Sequence, residues 1–243
     1  MMVEAVKKKA KKNKQSNRLY GLITLAIPQS PVSEQFRTLR TNIQFSMIDK
    51  KLKSLIVLSA TPAAGKSTVA ANLAVTFALQ GNQVLLMDCD LRRPSVHREF
   101  GLQNTSGLTN LLANQNGNVL DAYLNSCEVE GLSILTSGPV PPNPAELLSS
   151  NRMKKLEKDV SERFDLVIYD TPPLLGFTDA QILAGRADGT VFVVHYGAST
   201  KEDVLKAADS LKIVNANVLG VVYNRASSGQ KEHSYYYGYH DEE

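Results

Sequence analysis

The chain has 243 residues, 43% hydrophobic and 21% charged, enough for one large α/β domain or two small ones around a substantial core. No run approaches the roughly 20 apolar residues of a membrane-spanning helix, and no apolar signal core stands near the N-terminus, so a cytoplasmic chain is expected. Cys89 and Cys127 lack metal-ligand spacing and fit a reduced chain without disulfides.

The net charge of +3 is unevenly spread: Lys7, Lys8, Lys9, Lys11, Lys12, Lys14 and Arg18 face only Glu4 in the same stretch. Residues 1–30 therefore read as a basic, partly disordered arm suited to an anionic membrane surface. No aromatic residues are interleaved among the lysines, so nucleic acid is not an expected partner. Leu19 to Ser30 reads as extended or irregular, punctuated by Pro28 and Pro31. A helix is predicted from about Ser33, as N-cap, to Met47, with Phe36, Leu39, Ile43 and Met47 as its buried stripe. Glu34, Arg37 and Arg40 recur every three residues outside that stripe.

Strand and helix then alternate. Leu55 to Ser59 reads as a strand, Lys66 to about Gln80 as a helix capped by Gly81, and Val84 to Met87 as a doubly buried strand. Short helices are expected at 108–112 and 119–124, a strand at 132–135, a stiff loop at 138–144, and helices at 144–148 and 152–162. Strands at 166–169, 190–195 and 218–223 follow, with helices near 179–185 and 201–214 between them. Right-handed βα crossovers make residues 31–225 one α/β domain, with a doubly wound, mainly parallel sheet and helices on both faces. Residues 226–243 read as a disordered tail in which Tyr235, Tyr236, Tyr237 and Tyr239 crowd a polar stretch ending Asp241-Glu242-Glu243.

Between the first strand and its helix lies Ala60-Thr61-Pro62-Ala63-Ala64-Gly65-Lys66-Ser67-Thr68. A loop feeding a helix N-terminus aims successive backbone N–H groups at one point, a favourable place for phosphate. Lys66 adds a charge for the outer phosphates and the Ser67 hydroxyl can ligate Mg²⁺. The pattern G-x-x-x-x-G-K-[ST] is met except at Ala60. Asp88, Asp90 and Asp170 stand at the C-terminal ends of predicted strands, where ligand crevices of parallel sheets open. Carboxylates there suit Mg²⁺, directly or through water, and one of them can take the proton of an acceptor hydroxyl.

Ala60 to Ser67 resembles a Walker A motif, which makes the fold expected here the P-loop NTPase type. Leu85-Leu86-Met87-Asp88-Cys89-Asp90-Leu91-Arg92 is similar to the second motif of the bacterial tyrosine kinases, and Val167 to Pro173 to their Walker B motif. The tyrosine-rich tail resembles their autophosphorylation cluster, and Glu34-x-x-Arg37-x-x-Arg40 their subunit-contact motif. The resemblance runs from about Ser30 to the end and is strongest to the cytoplasmic kinase subunits of capsular or exopolysaccharide synthesis in Gram-positive bacteria.

That resemblance implies an ATP-dependent protein-tyrosine kinase using Mg²⁺. Lys66 would bind phosphates; Ser67, Asp88 and Asp170 would hold the metal. Asp88 or Asp90 would be the base, in a catalytic set with Lys66 and Arg92, and Asn224 would lie near the adenine. Glu34, Arg37 and Arg40 would join subunits into a ring that presents each tail to the next active site. A transmembrane activator of polysaccharide export would recruit the kinase to the inner face of the membrane, and a phosphotyrosine phosphatase is a further implied partner. The loop departs from the family pattern at Ala63, where glycine is common and whose backbone freedom alanine lacks. Tyr169 replaces an aliphatic residue in the Walker B strand. Two other readings share the fold: a partition-type ATPase switch, against which Thr61 stands in place of a signature lysine, and a non-catalytic nucleotide-binding scaffold.

Overall fold

The computed structural model describes residues 21–48, 51–114 and 120–226, so the lysine-rich part of the arm and the tyrosine cluster lie outside the described residues, while residues 21–30, expected in the arm, pack onto the domain through Leu22 and Thr24. Strands β1 (Ser54–Ser59), β2 (Val84–Asp88), β3 (Asn125–Ser126), β4 (Leu132–Leu135), β5 (Leu166–Asp170), β6 (Gly189–His195) and β7 (Val218–Asn224) form one sheet. Their order is β3-β4-β2-β5-β1-β6-β7, and every neighbouring pair is parallel except β3–β4. The two-residue β3 and its antiparallel pairing escape any periodicity argument, because alternation cannot register in so short a run.

The central strands β1, β2 and β5 are apolar on both faces, since successive side chains point to opposite sides and both sides are covered. Ile56, Leu58, Leu85, Met87, Val167 and Tyr169 face the layer of α5 (Leu108–Ala113), α6 (Pro144–Ser149), α7 (Asn151–Arg163), α8 (Asp179–Ala184) and α9 (Lys201–Ile213). Leu55, Val57, Leu86 and Ile168 face α3 (Lys66–Ala78). Tyr169 is thus a core ring on the face opposite α3, and burial pushes its phenol well above the ordinary range.

Helix α3 is buried along nearly its whole circumference because its alanines let β1, β2 and two further helices approach closely. These are α1 (Ile23–Ala26), where irregular chain is expected from the sequence, and α2 (Pro31–Phe45). The N-cap of α2 is Ser30 rather than Ser33: its hydroxyl accepts from Ser33 N at 3.1 Å, and Pro31 takes the first helical position, where its missing N–H has no consequence. Ser33 is instead buried and donates its hydroxyl to the carbonyls of Ile27 (2.7 Å) and Ile23 (3.2 Å), fastening α2 to α1. Of the predicted stripe, Ile43 is fully buried, while Phe36 and Leu39 pack at the edge of the core.

Asn72, wholly buried in α3, fastens α1 to the phosphate-loop helix. Its amide donates to Gly21 O (2.7 Å) and Thr68 O (2.8 Å), and its carbonyl accepts from Thr24 N and Thr24 Oγ1. Asn72→Ala leaves several buried polar groups unpaired. It is expected to lower the unfolding free energy by about 2–4 kcal/mol, read as a lower urea midpoint at unchanged slope.

Candidate active site

The loop Ala60–Gly65 joins the tip of β1 to α3, and two of its residues hold left-handed backbone angles: Ala63 at φ +61° and Gly65 at +87°. Gly65 is needed twice over, because a Cβ there would also lie 2.1 Å from the Asn224 side chain. Asn224 clasps the loop to the end of β7: its Nδ2 donates to Ala64 O at 2.9 Å and its Oδ1 accepts from Arg225 N at 3.0 Å. Ala63 adopts the angle that glycine would take without strain, so the loop keeps the curled form at a local cost of about 1 kcal/mol. Ser59 and Ala60 are pinned from behind, their carbonyls accepting from Leu174 N and Leu175 N. Ala60 is buried there, so a small residue suffices where the motif has glycine.

The loop borders a cavity of about 460 Å³ into which Lys66, Ser67, Asp90 and Ser95 project. Lys66 Nζ lies 3.4 Å from Asp90 Oδ2, and Asp90 Oδ1 accepts from Arg93 N at 2.9 Å. Ser67 Oγ lies 2.7 Å from Ser95 Oγ. Ser95 opens α4 (Val96–Glu99), a single turn that the sequence reading missed. In that turn Glu99 accepts from Thr68 Oγ1 at 2.9 Å.

The three acids occupy different environments. Asp88 and Asp170 are register partners at the tips of β2 and β5, and both are wholly buried. Asp88 accepts three backbone N–H bonds, from Asp90 on one oxygen and from Ser95 and Val96 on the other, so it organises the turn after β2. Burial, then the charges of Asp170 and Asp90, push it well above the carboxylate range. Both oxygens of Asp170 are buried without a hydrogen bond of ordinary geometry, and burial raises it to about 6 against the opposing charge of Lys66 and the nearby Ser67 hydroxyl. Asp90, by contrast, lines the cavity.

A Mg²⁺ ion fits this donor set. Oxygen ligands from a hydroxyl and from a buried carboxylate with two orphaned atoms match its preference, and it habitually keeps waters and binds substrate phosphates. Among the described residues no three His, Cys, Asp or Glu side chains converge to hold a metal. Asp88, expected to help hold the metal directly or through water, accepts three backbone N–H bonds, so Asp170 is the less committed of the two buried carboxylates.

Arg92 lines the same cavity, with its guanidinium held by an acid of another element. Its Nε and Nη2 bond Asp179 at 2.8 and 3.2 Å, and its guanidinium lies 4.3 Å from the centre of the Phe177 ring. Neither Asp179 nor Phe177 carries a motif signal; only the fold brings Phe177 to this cavity and buries Asp179 behind Arg92. On α2, Glu34 and Arg37 pair at the surface, whereas Arg40 Nη1 donates to Thr76 O at 3.0 Å within the same chain. These three residues lie away from the cavity just described.

A parallel sheet with a phosphate loop after β1 and acids at the tips of β2 and β5 defines a P-loop NTPase. The sequence profile of the NUBPL iron-transfer P-loop NTPase family accordingly matches residues 51–238. The tyrosine-protein kinase YwqD of Bacillus subtilis is 46% identical over 227 residues, covering 93% of this chain and 95% of that one. The putative tyrosine-protein kinase CapB of Staphylococcus aureus is 39% identical, covering 87% and 92%. The crystal structure of the chimerical protein CapA2B2 superposes with a TM-score of 0.81 at 41% identity, covering 85% of this chain and 90% of that one. With relatives this similar along nearly their full length, the chain belongs to the bacterial tyrosine-protein kinases.

Ala63→Val, which places a β-branched residue at a left-handed angle, is expected to lower the melting temperature and weaken ADP binding. Ala63→Gly should change stability by less than about 0.5 kcal/mol, strain relief offsetting the freer unfolded chain. Asp170 must be ionised to hold a cation, so Mg²⁺-dependent ADP affinity, followed calorimetrically, should fall as pH drops through about 6. Without the cation the sign for stability is opposite. The folded state holds the Asp170 proton that the unfolded chain releases near pH 4, so stability declines as pH rises from about 4 through 6.

Proposed function

We propose that this kinase transfers the γ-phosphoryl group of ATP to tyrosines of its own C-terminal cluster, Tyr235, Tyr236, Tyr237 and Tyr239, with Asp90 as the base. The observation that carries the reading is the division of labour among the acids. Asp90 lines the cavity 3.4 Å from Lys66, while Asp88 is sealed beneath it by three backbone bonds. Phosphoryl transfer demands mainly positioning and charge neutralisation, and the residues divide along those lines. The amides of the loop and of the first turn of α3 cradle the phosphates, and Lys66 neutralises the outer ones. Ser67 and Asp170 would hold Mg²⁺, which when bound draws charge from the phosphate oxygens. Asp90 receives the proton of the tyrosine hydroxyl as the bond to phosphorus forms.

The clasp of Asn224 on Ala64 supports a place for the adenine beside the end of β7, where Arg225 follows at φ +58°. Glu34 and Arg37, exposed and paired on α2, are proposed to join subunits into a ring that offers each tail to its neighbour, with Arg40 bracing the helix from inside. Among the described residues no helix is long and apolar enough to cross a membrane. We assign the kinase to the cytoplasmic face of a capsular or exopolysaccharide export system, with a transmembrane activator as partner and a phosphotyrosine phosphatase as antagonist. The lysines at 7–14 would add attraction to anionic lipid. The names of the two relatives support the tyrosine-kinase activity on which that setting rests.

A phosphosite map of the wild type incubated with Mg²⁺ and ATP tests the reading. Asp90→Asn is expected to lower tyrosine labelling at least about a hundredfold while nucleotide still binds, and Lys66→Met to lose both. An unlabelled tail in the wild type, or full labelling by Asp90→Asn, overturns it.

A further inference from the structure

The cavity has an aromatic rim that has no part in binding phosphate. Phe177 stands on the connection between β5 and α8, close behind Thr171-Pro172-Pro173, and lines the same cavity as Asp90 and Lys66. At 37% exposure it is a large apolar ring left open to solvent. Its other surroundings are unusually well fixed. The Arg92 guanidinium covers the ring at 4.3 Å, and Arg92 cannot swing aside because two of its nitrogens bond Asp179, whose side chain is wholly buried. Sealing a carboxylate in the interior is expensive unless its partner is held in place, so this ion pair holds Arg92, and with it the ring, in one orientation. Pro172 and Pro173 extend the apolar rim toward the tip of β5.

We infer that Phe177 is the acceptor-binding residue, its uncovered ring surface packing against the aromatic ring of the tyrosine substrate while Asp90 receives that tyrosine's hydroxyl. The inference rests on the kinase reading above and adds the contact that selects the acceptor. A phenol presents its hydroxyl at one end and an apolar ring along its length. A cavity with a carboxylate beside the phosphates and a phenyl ring with two prolines on its rim offers a partner to each. Ring pairs in offset or edge-to-face contact gain beyond simple burial. A serine or threonine acceptor brings a hydroxyl to Asp90 but nothing to Phe177, so the rim also discriminates against aliphatic hydroxyls. Covering one face with the arginine leaves one side of the ring for the acceptor, which restricts the direction from which it can approach.

The test uses the full-length protein, with a synthetic peptide copying Lys231 to Glu243 as acceptor, and measures KM and kcat for peptide and for ATP separately. Phe177→Ala is expected to raise the peptide KM about tenfold, equivalent to roughly 1.4 kcal/mol, with the ATP KM retained. Phe177→Tyr, which keeps the ring, should hold the peptide KM within about twofold of wild type. Thermal melts and ADP titration of each variant separate a local effect from misfolding. An unchanged peptide KM in Phe177→Ala, or equal impairment in Phe177→Tyr, overturns the assignment while leaving the kinase reading intact. A wild type that labels no tyrosine on the peptide or the tail overturns both.

Discussion

Two carboxylates buried side by side at the tips of β2 and β5 set the terms for the rest of this site. Asp88 and Asp170 are register partners with no exposure, and like charges so placed cannot both ionise without help. The structure answers in two ways. Around Asp88 the chain folds back so that Asp90, Ser95 and Val96 direct their amides at it, which creates the turn carrying Asp90 and the short helix carrying Glu99. Around Asp170 there is no such cage. Its oxygens face the phosphate-loop side, where Lys66 opposes the rise caused by burial. A buried acid without such a cage is suited to a divalent cation.

The phosphate loop depends on distant parts of the chain to keep its form. Left to itself, Ala63 would resist a left-handed angle, and a six-residue loop would sample many others. The Asn224 clasp from β7 and the amides of Leu174 and Leu175 behind β1 hold it from two sides. The strain at Ala63 is therefore a local cost carried by contacts more than 100 residues away, a pattern common where backbone must wrap a ligand.

The same economy of roles appears on α2. The helix carries a charged motif at a spacing of three, yet its members part company. Arg40 turns inward to the carbonyl of Thr76 on α3, while Glu34 and Arg37 stay together at the surface. The arginine that braces the helix thus links the surface pair to the phosphate-loop helix through a single hydrogen bond and the packing around it.

The sequence by itself determined the alternation of strands and helices, the loop, and the three strand-end acids, because each is a local pattern: apolar runs, a glycine before a lysine, a carboxylate closing a strand. Helix ends were legible to within a few residues, except where Ser30 displaced Ser33 as the cap and where α1, α4 and β3 were too short for a period to register. What only the tertiary structure decided is the surroundings of each group. It put Asp90 in the cavity and Asp88 beneath it, paired Arg92 with Asp179, brought Ser95 to Ser67, and set Phe177 on the rim. Asp88 and Asp90 are two residues apart and identical in kind. Their difference lies in which backbone amides and which cavity each one meets, and that follows from how β2, β5 and the turns beyond them are laid against one another.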